Sequence, residues 1–250
     1  MLLIVITALL PVLILGWWIY NKDSAHPEPL KQLILAFAYG VGSTFISVLI
    51  VGVMKAMGLF VYDLETFAGA VSTALLAAAI HEELAKLAML WLFLRKSLYY
   101  DEYLDGIVYA ACVGLGFAGA ENILYLLQSD NWVGVGIVRG LTAVPAHFAM
   151  ACAMGYFYSK RHFGDRSNIT ACCILAVPVI IHWTWDALAF SGGLLPALSV
   201  VVNVLFVVLI YYLYKSTKHR IADLTQQDLD RRTPSPFNNG DGTSTPPPLP

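Results

Sequence analysis

The chain has 250 residues, of which 58% are hydrophobic and only 13% are charged. Soluble domains carry about 25% charged residues. The composition and the mean hydropathy of +0.67 therefore exclude an ordinary soluble domain and indicate an integral membrane protein. The net charge of −2 gives no overall field that attracts nucleic acid, so we expect the lipid bilayer, and no nucleic acid, as a partner.

The apolar residues fall into blocks, each close to the roughly 20 residues that a helix needs to cross a bilayer. They predict an all-α, polytopic membrane protein with a bundle of about seven transmembrane helices. The first block has no basic region before it and no cleavage site of small residues after it, so we interpret it as a retained helix. The blocks are Leu2 to Tyr20, Leu33 to Met54, Ala68 to Leu94, Leu104 to Leu127, Val133 to Tyr158, Ile169 to Phe190 and Leu194 to Tyr214.

Basic residues in the loops predict the orientation of the chain. They follow the first, third, fifth and seventh blocks, whereas the other loops hold only Lys55. This bias predicts a multi-pass protein of the cell membrane with its N-terminus outside and its C-terminus in the cytoplasm. The residues on the cytoplasmic side are Lys22, Lys31, Arg95, Lys96, Lys160, Arg161, Arg166, Lys215, Lys218 and Arg220.

The two parts of the chain differ in composition. Residues 1–220 hold the apolar blocks and are predicted to form the transmembrane domain. Residues 221–250 end in RRTPSPFNNGDGTSTPPPLP, whose Pro, Ser, Thr, Asn and Gly residues cannot bury enough surface to fold. We expect this segment to be a disordered, Pro-rich cytoplasmic tail that catalysis does not need.

Three glycines in the fourth block, Gly114, Gly116 and Gly119, spell the G-x-G-x-x-G pattern of a dinucleotide-binding turn. That pattern has its meaning only between a strand and a helix of a parallel sheet. Because the flanks here are membrane helices, we interpret these glycines as small residues that let neighbouring helices approach closely.

Polar and ionisable residues lie inside four of the blocks, at depths that are compatible with a single cluster. Each costs a few kcal/mol in hydrocarbon, so such a set favours a functional site over polar contacts that only join helices. The residues are His81, Glu82, Glu83 and Lys86 in the third block, Glu121 and Asn122 in the fourth, His147 in the fifth, and His182 and Asp186 in the sixth.

Helical geometry relates these residues to one another. At 100° per residue, Lys86 projects between Glu82 and Glu83, so it can neutralise one carboxylate while the other faces a cavity. His81 projects away from Glu83, and we expect it to pack against a neighbouring helix. In the sixth block His182 shares a helix face with the residue four positions later, Asp186, an arrangement in which a carboxylate orients an imidazole.

Four motifs carry a resemblance to a known family. They are EELAK at Glu82 to Lys86, FAGAEN at Phe117 to Asn122, HFAMA at His147 to Ala151 and HWTWD at His182 to Asp186. In this order, over about residues 80–190, they resemble the PrsW family of intramembrane proteases, which are distant relatives of the CAAX prenyl endopeptidases. The resemblance implies an endopeptidase that cleaves membrane-anchored substrates in regulated intramembrane or site-1 type proteolysis, with anti-sigma factors as the substrate class of the family's namesake.

Hydrolysis of an amide needs an activated water and a group that stabilises the oxyanion. We predict catalytic roles for Glu82, Glu83, His147 and His182, and supporting roles for Lys86, Glu121, Asn122 and Asp186. In a metal version, His147, His182 and Glu121 bind zinc while Glu82 acts as the base. In a metal-free version, which we favour from the sequence and which needs no cofactor, Glu82 activates water directly with help from a histidine. The other imidazole and Asn122 then donate to the oxyanion.

Two other functions stay open from the sequence. A proton-coupled transporter or channel would use the same acids and histidines as a relay, but transporters often show internal repeats, and we find none here. A scaffold or bacteriocin-immunity role within the same superfamily would keep the fold without the activity.

Overall fold

The computed structural model of the chain describes residues 1–23, 26–192, 194 and 199–232, and these residues form helices joined by short connections. Within these residues seven helical segments follow one another, which confirms the predicted all-α bundle. The helices are α1 (Leu2–Tyr20), α2 (Leu30–Ala56), α3 (Phe67–Ala74), α4 (Ile80–Leu94), α5 (Tyr103–Leu127), α6 (Trp132–Leu141), α7 (Ala143–Phe163), α8 (Asn168–Ser191) and α9 (Ser199–Arg232). The third segment joins α3 to α4 through a π-helical turn, Leu75–Ala79, and the fifth segment contains both α6 and α7.

Six of the seven segments are long and apolar enough to cross a membrane. The third segment is the exception, because the π-helical turn interrupts it and α4 carries two glutamates and a lysine. The charges that cost free energy in hydrocarbon therefore lie in the segment that the π-helical turn interrupts. Such turns inside α-helices are frequent at functional sites.

Helix α5 lies at the centre of the bundle and packs against α1, α2 and α7. Most of its residues are buried, and its glycines lie at the closest approaches. A Cβ atom on Gly116 would collide with the carbonyl oxygen of Phe37 on α2, and one on Gly114 would collide with the Cβ of Ala151 on α7. This packing confirms our interpretation of the glycine pattern as a helix-packing surface.

The fifth predicted block is divided in the structure. Thr142 leaves the helical conformation, with φ −124° and ψ −69°, and separates α6 from α7. Two residues into α7, Pro145 has no backbone N–H to donate to the carbonyl of Leu141, so the α-helical hydrogen-bond ladder cannot run unbroken through this point. The break separates α7 from α6, and a side chain of α6 reaches the site described below.

The last helix extends beyond the predicted domain boundary. We expected the tail to start at residue 221, but α9 continues to Arg232. Ile221 and Leu224 are buried, and the carboxylate of Asp228 accepts hydrogen bonds from backbone N–H groups at the start of α5. Residues 221–232 are therefore part of the helical bundle, because they have an apolar face and a specific polar contact. The remaining predicted tail, residues 233–250, lies outside the described residues, as do residues 195–198 of the seventh block.

Candidate active site

The first two turns of α4 carry two carboxylates and a lysine that are buried inside the bundle. Glu83 and Lys86 are almost completely buried, and Glu82 is 8% exposed. Lys86 Nζ lies 2.7 Å from Glu83 Oε1 and 3.8 Å from Glu82 Oε2. This geometry confirms that Lys86 neutralises one of the two carboxylates, and the partner it selects is Glu83.

Glu83 also orients a histidine from α8. The Glu83 Oε1 atom lies 2.8 Å from His182 Nδ1, so Lys86 and His182 share one carboxylate oxygen. On the other side of the imidazole, His182 Nε2 lies 3.2 Å from Asp186 Oδ2, which confirms the predicted pairing of these two residues on one helix face. His182 Nε2 lies 3.7 Å from Glu82 Oε2. The ring is thus held between three carboxylates.

Both glutamates of α4 have a buried Oε2 atom that accepts no hydrogen bond from the described residues. Glu82 differs from Glu83 in facing a cavity. The carboxylate lines a cavity of about 310 Å³ together with His147 of α7 and His182 of α8. One ligand atom from each of these three side chains lies within 4.8 Å of those of the other two.

His147 connects the α4 charges to α5. Its Nδ1 atom lies 2.9 Å from Lys86 Nζ, and its Nε2 atom lies 3.0 Å from Glu121 Oε2. The rings of His147 and His182 meet edge to face, with their centroids 5.1 Å apart. The structure therefore brings together the motif residues of α4, α5, α7 and α8 in one network.

Arg139 of α6 is a site residue that the sequence analysis missed. Its Nη2 atom lies 2.6 Å from Glu121 Oε2, and its Nε atom donates to Asn122 Oδ1 over 2.7 Å. The guanidinium lies 3.8 Å from the centroid of the Tyr125 ring. The available signal was an arginine inside the apolar run VGVGIVRGLT, but we considered basic residues only in the loops when predicting orientation.

Two predicted polar residues contact other helices. The amide of Asn122 donates to the Ala8 carbonyl over 3.4 Å and accepts from Arg139, so it joins α1, α5 and α6. His81 Nδ1 lies 2.8 Å from Ser47 Oγ on α2, which confirms the expected packing contact with a neighbouring helix. Its Nε2 atom is buried and has no partner among the described residues.

The side chains fit a metal ion. Two imidazoles and one carboxylate are the donor set of many catalytic zinc sites, and Glu82 Oε2 is a buried oxygen that lacks a hydrogen-bond donor. A carboxylate behind the imidazole of His182 is the usual arrangement around a metal-bound histidine. The group that could hold a metal contains Glu82, whereas our predicted zinc set contained Glu121, which forms an ion pair with Arg139 in the structure.

Comparisons with known proteins assign the chain to a family. The family model described as "PrsW family intramembrane metalloprotease" matches residues 28–213. The chain belongs to the PrsW family. Protease PrsW of Clostridioides difficile (strain 630) is 32% identical over 184 residues, which cover 72% of this chain and 76% of the relative. Protease PrsW of Bacillus subtilis (strain 168) is 31% identical over 186 residues, which cover 73% and 81%. No solved structure gives a significant match.

Membership of the PrsW family makes the chain an intramembrane protease of a family described as metalloproteases, and a multi-pass integral membrane protein. The buried group of Glu82, His147 and His182 agrees with that description, since it could hold a metal. These findings confirm the predicted intramembrane protease over a transporter or a scaffold. Its substrates are membrane proteins, since an intramembrane protease acts on proteins of that class.

Proposed function

We propose that the chain hydrolyses a peptide bond of a membrane-anchored protein at the centre formed by Glu82, His147 and His182. The observation that carries the proposal is the unpartnered Oε2 atom of Glu82, which faces two imidazoles in a cavity among membrane helices. A buried polar atom without a partner costs free energy in every folded molecule, and such atoms cluster where they serve chemistry.

We further propose that the same three residues hold a metal ion, with Glu82 as the carboxylate ligand in place of Glu121. When bound, a zinc ion would polarise the scissile carbonyl and lower the pKa of a water molecule. The family's description as metalloproteases supports this version over the metal-free version that we favoured from the sequence. Glu83 would then hold the imidazole of His182 through Nδ1, and Nε2, which lies beside Glu82 and Asp186, would be the nitrogen that binds the metal.

Two carboxylates that contact the imidazoles can transfer the proton from the attacking water to the leaving amine. Glu121 lies 3.0 Å from His147 Nε2, and Asp186 lies 3.2 Å from His182 Nε2. Either carboxylate can accept a proton from the attacking water and return it to the leaving amine. As negative charge develops on the carbonyl oxygen, Arg139, which lines the cavity, and Lys86, which lies 3.8 Å from Glu82 Oε2, provide fixed positive charges.

The substrate class follows from the resemblance and the setting. We propose single-pass membrane proteins as substrates, with anti-sigma factors as the class suggested by the PrsW resemblance. The basic residues after the first, third, fifth and seventh helical segments support an N-terminus outside and a C-terminus in the cytoplasm of the cell membrane.

The replacement Glu82→Gln tests the proposed reaction. It keeps the shape of the side chain and removes the charge, so we expect at least a 10³-fold loss of turnover with normal membrane insertion and folding. The assay is cleavage of a membrane-anchored substrate in proteoliposomes, and Glu65→Gln, in the exposed loop before α3, is the matched control. Turnover of the Glu82→Gln variant within a few-fold of the parent protein would overturn the proposal.

A further inference from the structure

A second cavity, which we call the side cavity, lies between α2, the π-helical turn and α5. Its volume is about 350 Å³. It meets the active-site cavity at Glu82, Glu121 and Tyr125, which line both spaces. Glu82 therefore lies on the wall between the two cavities.

The walls of the side cavity are polar at a depth where lipid would demand apolar groups. Thr44 and Ser47 of α2 project into it beside His81 of α4. The Nε2 atom of His81 has no hydrogen-bond partner among the described residues, although Nδ1 is bonded to Ser47. In the hydrocarbon region, irregular or unpaired polar groups are tolerated where they line water.

The lining of the side cavity extends from the end of α5 to the carboxylates of Glu82 and Glu121. Gln128, which lines it, is exposed and directly follows the last residue of α5, whereas Glu121 lies seven residues deeper. At 1.5 Å per residue the distance along the helix is about 10 Å. Since one water takes about 30 Å³ of liquid volume, the side cavity has room for several water molecules in a row.

We propose that the side cavity is a water conduit that supplies the hydrolytic water to Glu82 while the peptide occupies the active-site cavity. This inference rests on the proposed function. Each turnover consumes one water, whose oxygen joins the acyl carbon as the C–N bond breaks, while its protons go to the new amine and carboxyl groups. A membrane segment bound in the active-site cavity blocks that route for water, and a separate polar route removes the conflict.

Two adjacent residues of α2 provide a matched test. Val48 lines the side cavity and is 52% exposed, whereas Leu49 does not line it and is 67% exposed. Thiols react as thiolates, which form in water and not in lipid. In protein whose Cys172 and Cys173 are replaced by Ala, we expect a membrane-impermeant thiol reagent to label Val48→Cys at least tenfold faster than Leu49→Cys.

Equal labelling of the two positions, or no labelling of either, would overturn the conduit. The labelling is independent of proteolysis, so it separates failure of the conduit from failure of the proposed function. The buried Cys112 and Cys152 remain in place. Their contribution is measured by labelling the protein that lacks Cys172 and Cys173 and carries no cysteine at position 48 or 49.

Kinetics give a second readout with the same pair of positions. Val48→Phe narrows the side cavity, so we expect kcat to fall severalfold while KM stays unchanged, because water supply and not peptide binding is impaired. Leu49→Phe should leave both constants unchanged. An unchanged kcat, or a raised KM for Val48→Phe, would overturn the inference, since the latter would mean that the peptide itself occupies the side cavity.

Discussion

Two buried polar clusters of this protein differ in how their carboxylates are used. At the end of the bundle near the start of α5, Asp228 accepts from the N–H groups of Tyr103 and Leu104 over 2.7 and 2.9 Å. In the same cluster Asp105 accepts from the N–H of Glu102 over 2.7 Å. We call this the end cluster. In the active site, by contrast, Glu82 faces imidazoles and a cavity, and one of its oxygens has no donor among the described residues.

The difference separates structural from reactive polar groups in a membrane protein. Carboxylates of the end cluster satisfy the N–H groups that the first turn of every helix leaves unpaired, so they stabilise the bundle. The active site keeps a carboxylate oxygen unsatisfied, which is unfavourable for folding and useful for binding a metal or a proton. Residues of the end cluster should therefore affect stability, and those of the active site should affect turnover.

Replacing Lys86 should have the largest effect, because it should lower both stability and turnover. Lys86→Met leaves Glu83 buried and without its cationic partner, which costs about 3 to 5 kcal/mol, and turnover should be lost as well. The double variant Glu83→Gln/Lys86→Met should recover most of the stability and none of the activity. Thermal or denaturant unfolding in detergent measures the first quantity, and substrate cleavage measures the second. A Lys86→Met protein as stable as the parent would contradict the assigned ion pair.

Arg139 should show an intermediate effect on turnover. Arg139→Gln removes the ion pair that holds Glu121 against His147, and loss of such outer contacts typically lowers activity by about 10- to 100-fold. The matched control is Arg95→Gln, since Arg95 is exposed and its guanidinium lies 4.7 Å from the Trp91 ring, away from the site. Equal turnover in the two variants would mean that Arg139 only anchors α6.

Asp228 should show the smallest effect on turnover and a measurable effect on stability. Asp228→Asn weakens two hydrogen bonds to the start of α5, so we expect the free energy of unfolding to fall by about 1 to 2 kcal/mol. Turnover per folded molecule should stay within twofold. Asp230→Asn is the control, because Asp230 is exposed and accepts a hydrogen bond from the nearby side chain of Gln226. A large loss of turnover at Asp228 would break the distinction between the two clusters.

The sequence predicted the parts of the molecule that follow from local patterns. Apolar blocks predicted the helices. Residue spacing predicted the pairing of Lys86 with a neighbouring glutamate and of His182 with Asp186. The break at Thr142 was not predicted, because the residues around it form one long, mostly apolar run in which Pro145 is the signal of a disturbance. The contacts of Arg139 join α6 to α5, so spacing within one helix does not predict them.

The proposed set of metal ligands also depends on tertiary structure. Glu82 and Glu121 lie on different helices at similar depths, and the sequence cannot tell which carboxylate turns toward both imidazoles. The structure pairs Glu121 with Arg139 and leaves Glu82 beside the two histidines. Long-range ion pairs of this kind have no signature in a single sequence.

Metal content measured together with turnover tests the central claim most directly. The parent protein and Glu121→Gln should each hold about one zinc per chain, whereas Glu82→Gln and the glutamine variants of His147 and His182 should lose it. A strong chelator should remove both metal and activity from the parent, and stoichiometric zinc should restore both. Cleavage that persists after the metal is stripped, or zinc retained by Glu82→Gln and lost by Glu121→Gln, would contradict the account.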